Sequence, residues 1–284
     1  MTSPQPDVQP DVQPQPDPID LLDLALEAAR AAAALIRERR THGVSVADTK
    51  SSDVDVVTLA DRESEALIRR LVLERRPHDA FLGEESGTAS GSTGVRWVVD
   101  PIDGTVNYLY GLPEYSVSIA VEQGGQVVAG VVLNAATGVE YVATAGEARR
   151  DGVPLGVRGP TPLHQRLVIT GFGYDAEKRG VQAASVARLL PHVRDIRRLG
   201  SCALDLCHLA EGSADAYVEE GVNLWDYAAG AFIAAQAGAR WEMHPGAFGT
   251  PALVATPEHG FDEFLTAVRE AGFLHTGGVD DRAL

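Results

Sequence analysis

The chain is poor in cysteine: 284 residues contain two, Cys202 and Cys207. They stand five positions apart in one helical stretch and do not share a face. A disulfide between them is therefore not expected, and two thiols are too few for a structural zinc site. Such scarcity fits a reducing cytoplasm. No apolar run approaches the length that spans a bilayer, so no membrane partner is expected. The N-terminus lacks the basic and apolar regions of a secretory signal. Cations are short too: 24 Lys and Arg against 40 Asp and Glu give a formal net charge of −16. That balance argues against a basic stripe for nucleic acid. There is no internal repeat and no glycine-rich dinucleotide fingerprint.

What is present reads as a tail and a body. Residues 1–16 repeat Pro, Gln, Asp and Val, with almost nothing to bury, and read as a disordered acidic tail. Asp17-Pro18 reads as an N-cap with Pro at the first helical position. Leu22, Ala25, Leu26, Ala29, Ala32, Ala33 and Ile36 then recur at helical spacing to about Arg40. Thr58 to Asp61 has the form of a capping box for a second helix. A short strand ends at Gly83, and residues 87–94, GTASGSTG, read as a flexible loop. Strands follow at 116–122, 126–134 and 140–144, the first two joined by a Gly124-Gly125 hairpin. The Gly- and Pro-marked stretch 146–162 separates a first subdomain, 17–150, from a second, 151–284. In the second, strands at 167–170, 193–197, 216–218 and 252–256 alternate with helices that begin near Ala176, Ser201, Trp225 and Phe261. Mixed order with hairpins predicts an α+β fold rather than a doubly wound sheet.

One stretch organises the rest: Trp97-Val98-Val99-Asp100-Pro101-Ile102-Asp103-Gly104-Thr105-Val106-Asn107-Tyr108. Trp97–Val99 reads as a buried strand that ends in a sharp turn around Pro101. Asp100 and Asp103, three residues apart on that turn, are close enough to share a hard cation. Gly104 lets a ligand approach the backbone. Residues 104–106 open a short helix with Asp103 as its candidate N-cap, and free N–H groups at such a start suit an anion. Together they suggest a metal ion that bridges protein to phosphate. Taken alone, DPxDG is also ordinary turn chemistry.

WVVDPIDGTVNY resembles the first signature of the inositol monophosphatase family, magnesium-dependent phosphatases inhibited by lithium. WDYAAGAFIAAQAGA, about 120 residues on, resembles the second. GEES at 83–86 is similar to a family motif, and Lys50, Asp55, Val57, Thr58 and Asp61 match another. The resemblance covers roughly residues 20–275 and implies a layered α/β/α/β/α sandwich of two subdomains.

It also implies hydrolysis of a small phosphate ester by metal-activated water, in a homodimer, and TGFGYD and RRLGSCALDLC look most like bacterial inositol-1-phosphatases. Carried over by position, Glu84, Asp100 and the Ile102 carbonyl hold one Mg2+. Asp100, Asp103 and Asp226 hold a second, and a third leans on Glu84. Asp61 and Thr105 orient the water, and the N–H groups of Gly104 and Thr105 hold the phosphate. Gly200, Ser201 and Glu219 meet the substrate, with Cys202 where many relatives carry alanine. In so acidic a chain, divalent ions have to reverse the local sign before an anion binds. The alternatives are a sister phosphatase for histidinol phosphate, fructose 1,6-bisphosphate, nucleotide 3′-phosphates or NADP, and a regulatory binding protein of the same fold.

Overall fold

The computed structural model describes residues 15–44, 46–49 and 56–275. Lys50, Asp55 and most of the N-terminal tail lie outside the described residues. Helix α1 (Pro18–Thr41) begins where expected: the Asp17 carboxylate accepts the Ile19 N–H at 2.9 Å, an acceptor for one of the free N–H groups of the first turn. A two-stranded ribbon, β1 (Val46–Thr49) and β2 (Val56–Thr58), leads into α2 (Leu59–Arg75).

The first sheet contains β3 (Ala80–Gly83), β4 (Gly87–Ala89), β5 (Val95–Asp103), β6 (Ser116–Gln123), β7 (Gln126–Asn134), β8 (Glu140–Thr144), β9 (Glu147–Arg150) and β10 (Val153–Pro154). Its order is β10-β9-β8-β7-β6-β5-β3-β4. Only β3 and β5 pair in parallel; the other neighbours are antiparallel. The short helix α3 (Thr105–Tyr110) follows β5 directly. The second sheet contains β11 (Leu167–Thr170), β12 (Asp195–Arg197), β13 (Ala216–Glu220), β14 (Ala239–Pro245) and β15 (Pro251–Pro257), ordered β12-β11-β13-β15-β14. Helices α4 (Ala176–Leu189), α5 (Cys202–Ala210), α6 (Leu224–Gln236) and α7 (Phe261–Glu270) complete it.

Four apolar clusters fill the gaps between five layers. Trp97, Val99, Ile119 and Val131 face α1 and α2, with Ile36, Ile68 and Val72 against them. Their neighbours Val98, Ala120 and Val132 point the other way, onto Ala203, Leu204, Ala229 and Ile233 of α5 and α6. The same two helices turn Leu206, Leu209 and Ala231 toward Ile169, Tyr217 and Leu253 of the second sheet. On the far side of that sheet, Val168, Val218 and Val254 meet Leu189, Phe264 and Val268 of α4 and α7. Helices α5 and α6 are thus a middle layer shared by both sheets. Both faces of the central strands are covered, so β5 to β7 read as near-continuous apolar runs with weak alternation. Small residues set the spacing: a Cβ on Gly230 would lie 2.8 Å from the Ala203 carbonyl oxygen.

The fold is the expected α+β sandwich, with local differences. Residues 87–89 form a strand, and β9, β10 and β14 are further strands; all are short or carry polar residues, so their pattern is weak. Strand β5 runs through to Asp103 instead of ending at Val99. The N-cap of α3 is Gly104, at φ 95°, not Asp103. The left-handed backbone needed there favours glycine. Among the described residues, no helix is long and apolar enough to cross a membrane.

Candidate active site

The parallel pairing of β3 with β5 creates the site. Gly83 is in register with Val99, and the Glu84 N–H donates to the Val99 carbonyl at 3.1 Å. Glu84 therefore emerges beside Asp100. Its turn is held from behind: the Glu65 carboxylate accepts the Glu85 and Ser86 N–H groups at 2.7 and 2.8 Å. That carboxylate sits so close that a Cβ on Gly83 would lie 2.5 Å from it, which explains the glycine. The β5–β6 register breaks between Asp100 and Asp103. An irregularity of this kind bends a strand and re-aims its side chains. Asp100 accepts the Ile102 N–H at 3.0 Å. Asp103 reaches across to the start of α5, accepting the Ser201 hydroxyl at 2.6 Å and the Ala203 N–H at 2.7 Å.

Two further carboxylates arrive through helix caps. Asp226 is the third residue of α6 and accepts the Asn223 N–H at 2.6 Å. Asp61 closes the corresponding box on α2, accepting the Thr58 N–H at 2.9 Å. Its other oxygen lies 3.1 Å from the Thr105 hydroxyl, which is also 3.0 Å from the Ile102 carbonyl. Each of the two carboxylates thus caps its own helix.

These elements enclose a cavity of about 430 Å³. Glu84, Asp100, Ile102, Asp103, Gly104, Thr105, Gly200, Glu219 and Asp226 all line it. Asp61 stands behind Thr105, and Ser201 is buried behind Asp103, which its hydroxyl holds. Strand alternation separates the adjacent glutamates. Glu220 is tied down by the Phe248 N–H at 2.9 Å and by the N–H and hydroxyl of Thr250 at 3.1 and 3.0 Å. Among the described residues, the Glu219 carboxylate accepts one hydrogen bond, from the Tyr217 hydroxyl at 2.8 Å. Lys178 and Arg198 also line the cavity; neither had a role legible in the sequence, although Arg198 falls within RRLGSCALDLC.

The model of the inositol monophosphatase family matches residues 17–271. The chain belongs to the inositol monophosphatase family. An inositol-1-monophosphatase SuhB of Mycobacterium tuberculosis is 43% identical over 274 residues, which is 89% of this chain and 94% of the relative. A solved structure of Mycobacterium tuberculosis SuhB superposes with a TM-score of 0.78 at 41% identity, covering 91% of this chain and 99% of that one. A Nus factor SuhB of Pasteurella multocida is 36% identical over 221 residues, 77% of this chain and 83% of the relative.

Family members are generally metal-dependent, and the donor set here fits a hard cation. Every candidate ligand is an oxygen. Burial, followed by repulsion from Glu84, Asp103 and Asp226, drives the Asp100 carboxyl well above its usual range. Burial and Asp103 do the same to Asp226. Burial lifts Asp103 to about 7 against the opposing bonds from Ser201 and Ala203. Burial likewise lifts Asp61 to about 6. Like charges gathered in a poorly solvated cavity favour a divalent ion that offsets them. As the side chains stand, no three His, Cys, Asp or Glu groups among the described residues converge as ligands of one ion. Asp100, Asp103 and Asp226 each bond to neighbouring donors through one carboxylate oxygen, which leaves the other oxygen available to an ion.

A pH dependence of stability follows. A carboxyl raised in the folded state stabilises most when protonated, and that contribution is lost as pH rises through its folded value. In EDTA, Tm should fall between about pH 4 and about pH 7, as pH rises from the usual carboxyl value of 3.8 through the folded values of about 6 for Asp61 and about 7 for Asp103. Magnesium should flatten the slope, because an ion bound only to the folded state adds stability. Differential scanning fluorimetry checks this; a metal-free Tm that stays level or rises over that range would contradict it.

Proposed function

We propose that this chain is a magnesium-dependent phosphate monoester hydrolase that converts inositol 1-phosphate to inositol and phosphate. The observation that carries the reading is the convergence of Glu84, Asp100, Asp103 and Asp226 on one cavity, with Thr105 at its wall and Asp61 behind Thr105. Glu84, Asp100, the Ile102 carbonyl, Asp103 and Asp226 would hold two or three magnesium ions, whose chemistry is to acidify a bound water and offset phosphate charge.

The remaining roles belong to the chain. Thr105 donates its single hydroxyl proton to Asp61 and turns a lone pair toward the attacking water. Asp61 must be ionised to accept that proton, so kcat has an acid limb at or below about pH 6. The N–H groups of Gly104 and Thr105 position the phosphate. Gly200 and Glu219 face the alcohol end, and Ser201 contributes through Asp103, which it orients. Positioning of this kind supplies much of the rate in phosphoryl transfer.

The test is phosphate release after EDTA treatment, with and without added magnesium chloride. The panel is inositol 1-phosphate, histidinol phosphate, fructose 1,6-bisphosphate, a nucleotide 3′-phosphate and NADP. Activity should vanish with EDTA, return with magnesium, and show its highest kcat/KM on inositol 1-phosphate. A higher value for another ester would move the substrate. No release from any ester would leave a binding protein of this fold, and the name of the Pasteurella relative would then be the better guide.

A further inference from the structure

Lys178 has no place in the scheme above, and its setting is unusual. It is the third residue of α4, with its N–H donating to the capping Asp175 carboxylate at 2.8 Å. The side chain is buried, at 8% exposure, yet it lines the cavity. Lysine is rarely buried to that degree unless its charge is used. Among the described residues its ammonium makes one hydrogen bond, to the Thr250 hydroxyl at 2.8 Å. An ammonium carries three protons and accepts nothing, so two protons remain for a ligand.

Glu219 is the complement. Its carboxylate accepts and cannot donate when ionised, and Tyr217 engages only Oε2. Glycines seat both groups at the wall. A Cβ on Gly171 would fall 2.1 Å from the Glu219 carboxylate, and one on Gly221 would fall 2.2 Å from the Lys178 Nζ. Burial raises the Glu219 carboxyl above its usual range, and the Tyr217 hydroxyl, Arg198 and Lys178 oppose that rise. A donor-only head and an acceptor-only head on one wall match a pair of neighbouring hydroxyls, since each hydroxyl both donates and accepts. A second phosphate matches poorly: Glu219, Glu220 and Asp175 outnumber Lys178 and Arg198 at that part of the lining.

We infer that Lys178 and Glu219 form a two-point grip for a vicinal diol, Lys178 donating to one hydroxyl while Glu219 accepts from its neighbour. The inference rests on the functional reading above and narrows it to polyol monophosphates with adjacent free hydroxyls. Lys178 is then a specificity-determining residue.

The experiment compares wild type, Lys178→Met and Lys178→Gln on inositol 1-phosphate and on analogues that each lack one hydroxyl. Wild type should lose about tenfold or more in kcat/KM on two analogues, at adjacent ring positions; this is the size of a hydrogen bond to a charged group. Lys178→Met should show a similar loss on the parent ester and little further loss on one of those two analogues. Relative to p-nitrophenyl phosphate, its preference for inositol 1-phosphate should drop by the same factor. An equal loss on both esters would assign Lys178 a structural role through Thr250 and overturn the grip. So would wild-type losses at non-adjacent positions, or none. The analogue series on wild type needs no variant to fold. If a different polyol phosphate is the preferred substrate, the functional reading fails and the grip is judged on that ester's deoxy analogues. A preferred substrate without adjacent hydroxyls overturns both.

Discussion

Asp100→Asn should lower kcat by roughly 10²–10³-fold with magnesium present, the scale seen when one group that stabilises developing charge is removed. The substitution keeps side-chain volume, and the amide oxygen can still accept the Ile102 N–H now received at 3.0 Å. What it removes is one anionic ligand from a buried set whose members repel one another. The metal-free fold should therefore be unharmed or slightly more stable, because a buried charge without a counter-charge is costly. Wild type should gain Tm when magnesium is added to the EDTA-treated protein, and Asp100→Asn should gain much less. Kinetics and calorimetry on the same preparations separate chemistry from folding. A folded Asp100→Asn enzyme with near-normal turnover would end the metal-ligand account. Asp226→Asn should behave alike, since asparagine can also accept the Asn223 N–H at the start of α6.

Glu219→Ala should raise KM for inositol 1-phosphate and cut kcat/KM by about ten- to a hundredfold, as expected for loss of a charge-assisted hydrogen bond. p-Nitrophenyl phosphate lacks the hydroxyls in question and should suffer far less. Alanine leaves the buried Tyr217 hydroxyl without its acceptor, so Glu219→Gln is the companion variant that keeps an oxygen there. Glu220→Ala is the contrast. Its oxygens hold the 248–250 turn, so its cost should appear in Tm rather than in substrate preference. Equal losses on both esters for Glu219→Ala would move that residue to the metal shell or to the scaffold.

The parts of the site legible in the sequence are those whose geometry is local. The Thr58–Asp61 box is set within one helical turn and the Asp100–Asp103 turn within four residues, whereas the Asn223–Asp226 box became visible only in the structure. The reach of Asp103 to Ser201 and Ala203 spans about a hundred residues, so local pattern suggested a cap on its own helix. Glu219 and Glu220 are indistinguishable as letters. The resemblance chose Glu219; a physical reason appears once β13 pairs with β15, with Glu219 opposite Leu253 and Glu220 opposite Ala252. Strand β14 went unread because its residues, ARWEMHP, are mostly half-buried at a sheet edge and give no clean period. Lys178 sits in AEKRG, the composition of any solvated helix face, and only the cavity reveals it.

The shared middle layer bears on how such a molecule can diversify. Glu84, Asp100 and Asp103 hang from the first sheet, whereas Lys178, Arg198 and Glu219 hang from the second sheet and the helix beside it. Helices α5 and α6 hold the two sets face to face. Lineages can therefore exchange the clientele of the pocket through changes on one wall while the reagent on the opposite wall is inherited untouched. A substitution in the α5–α6 spacer is not neutral in the same way, because it shifts one wall against the other and alters every client at once.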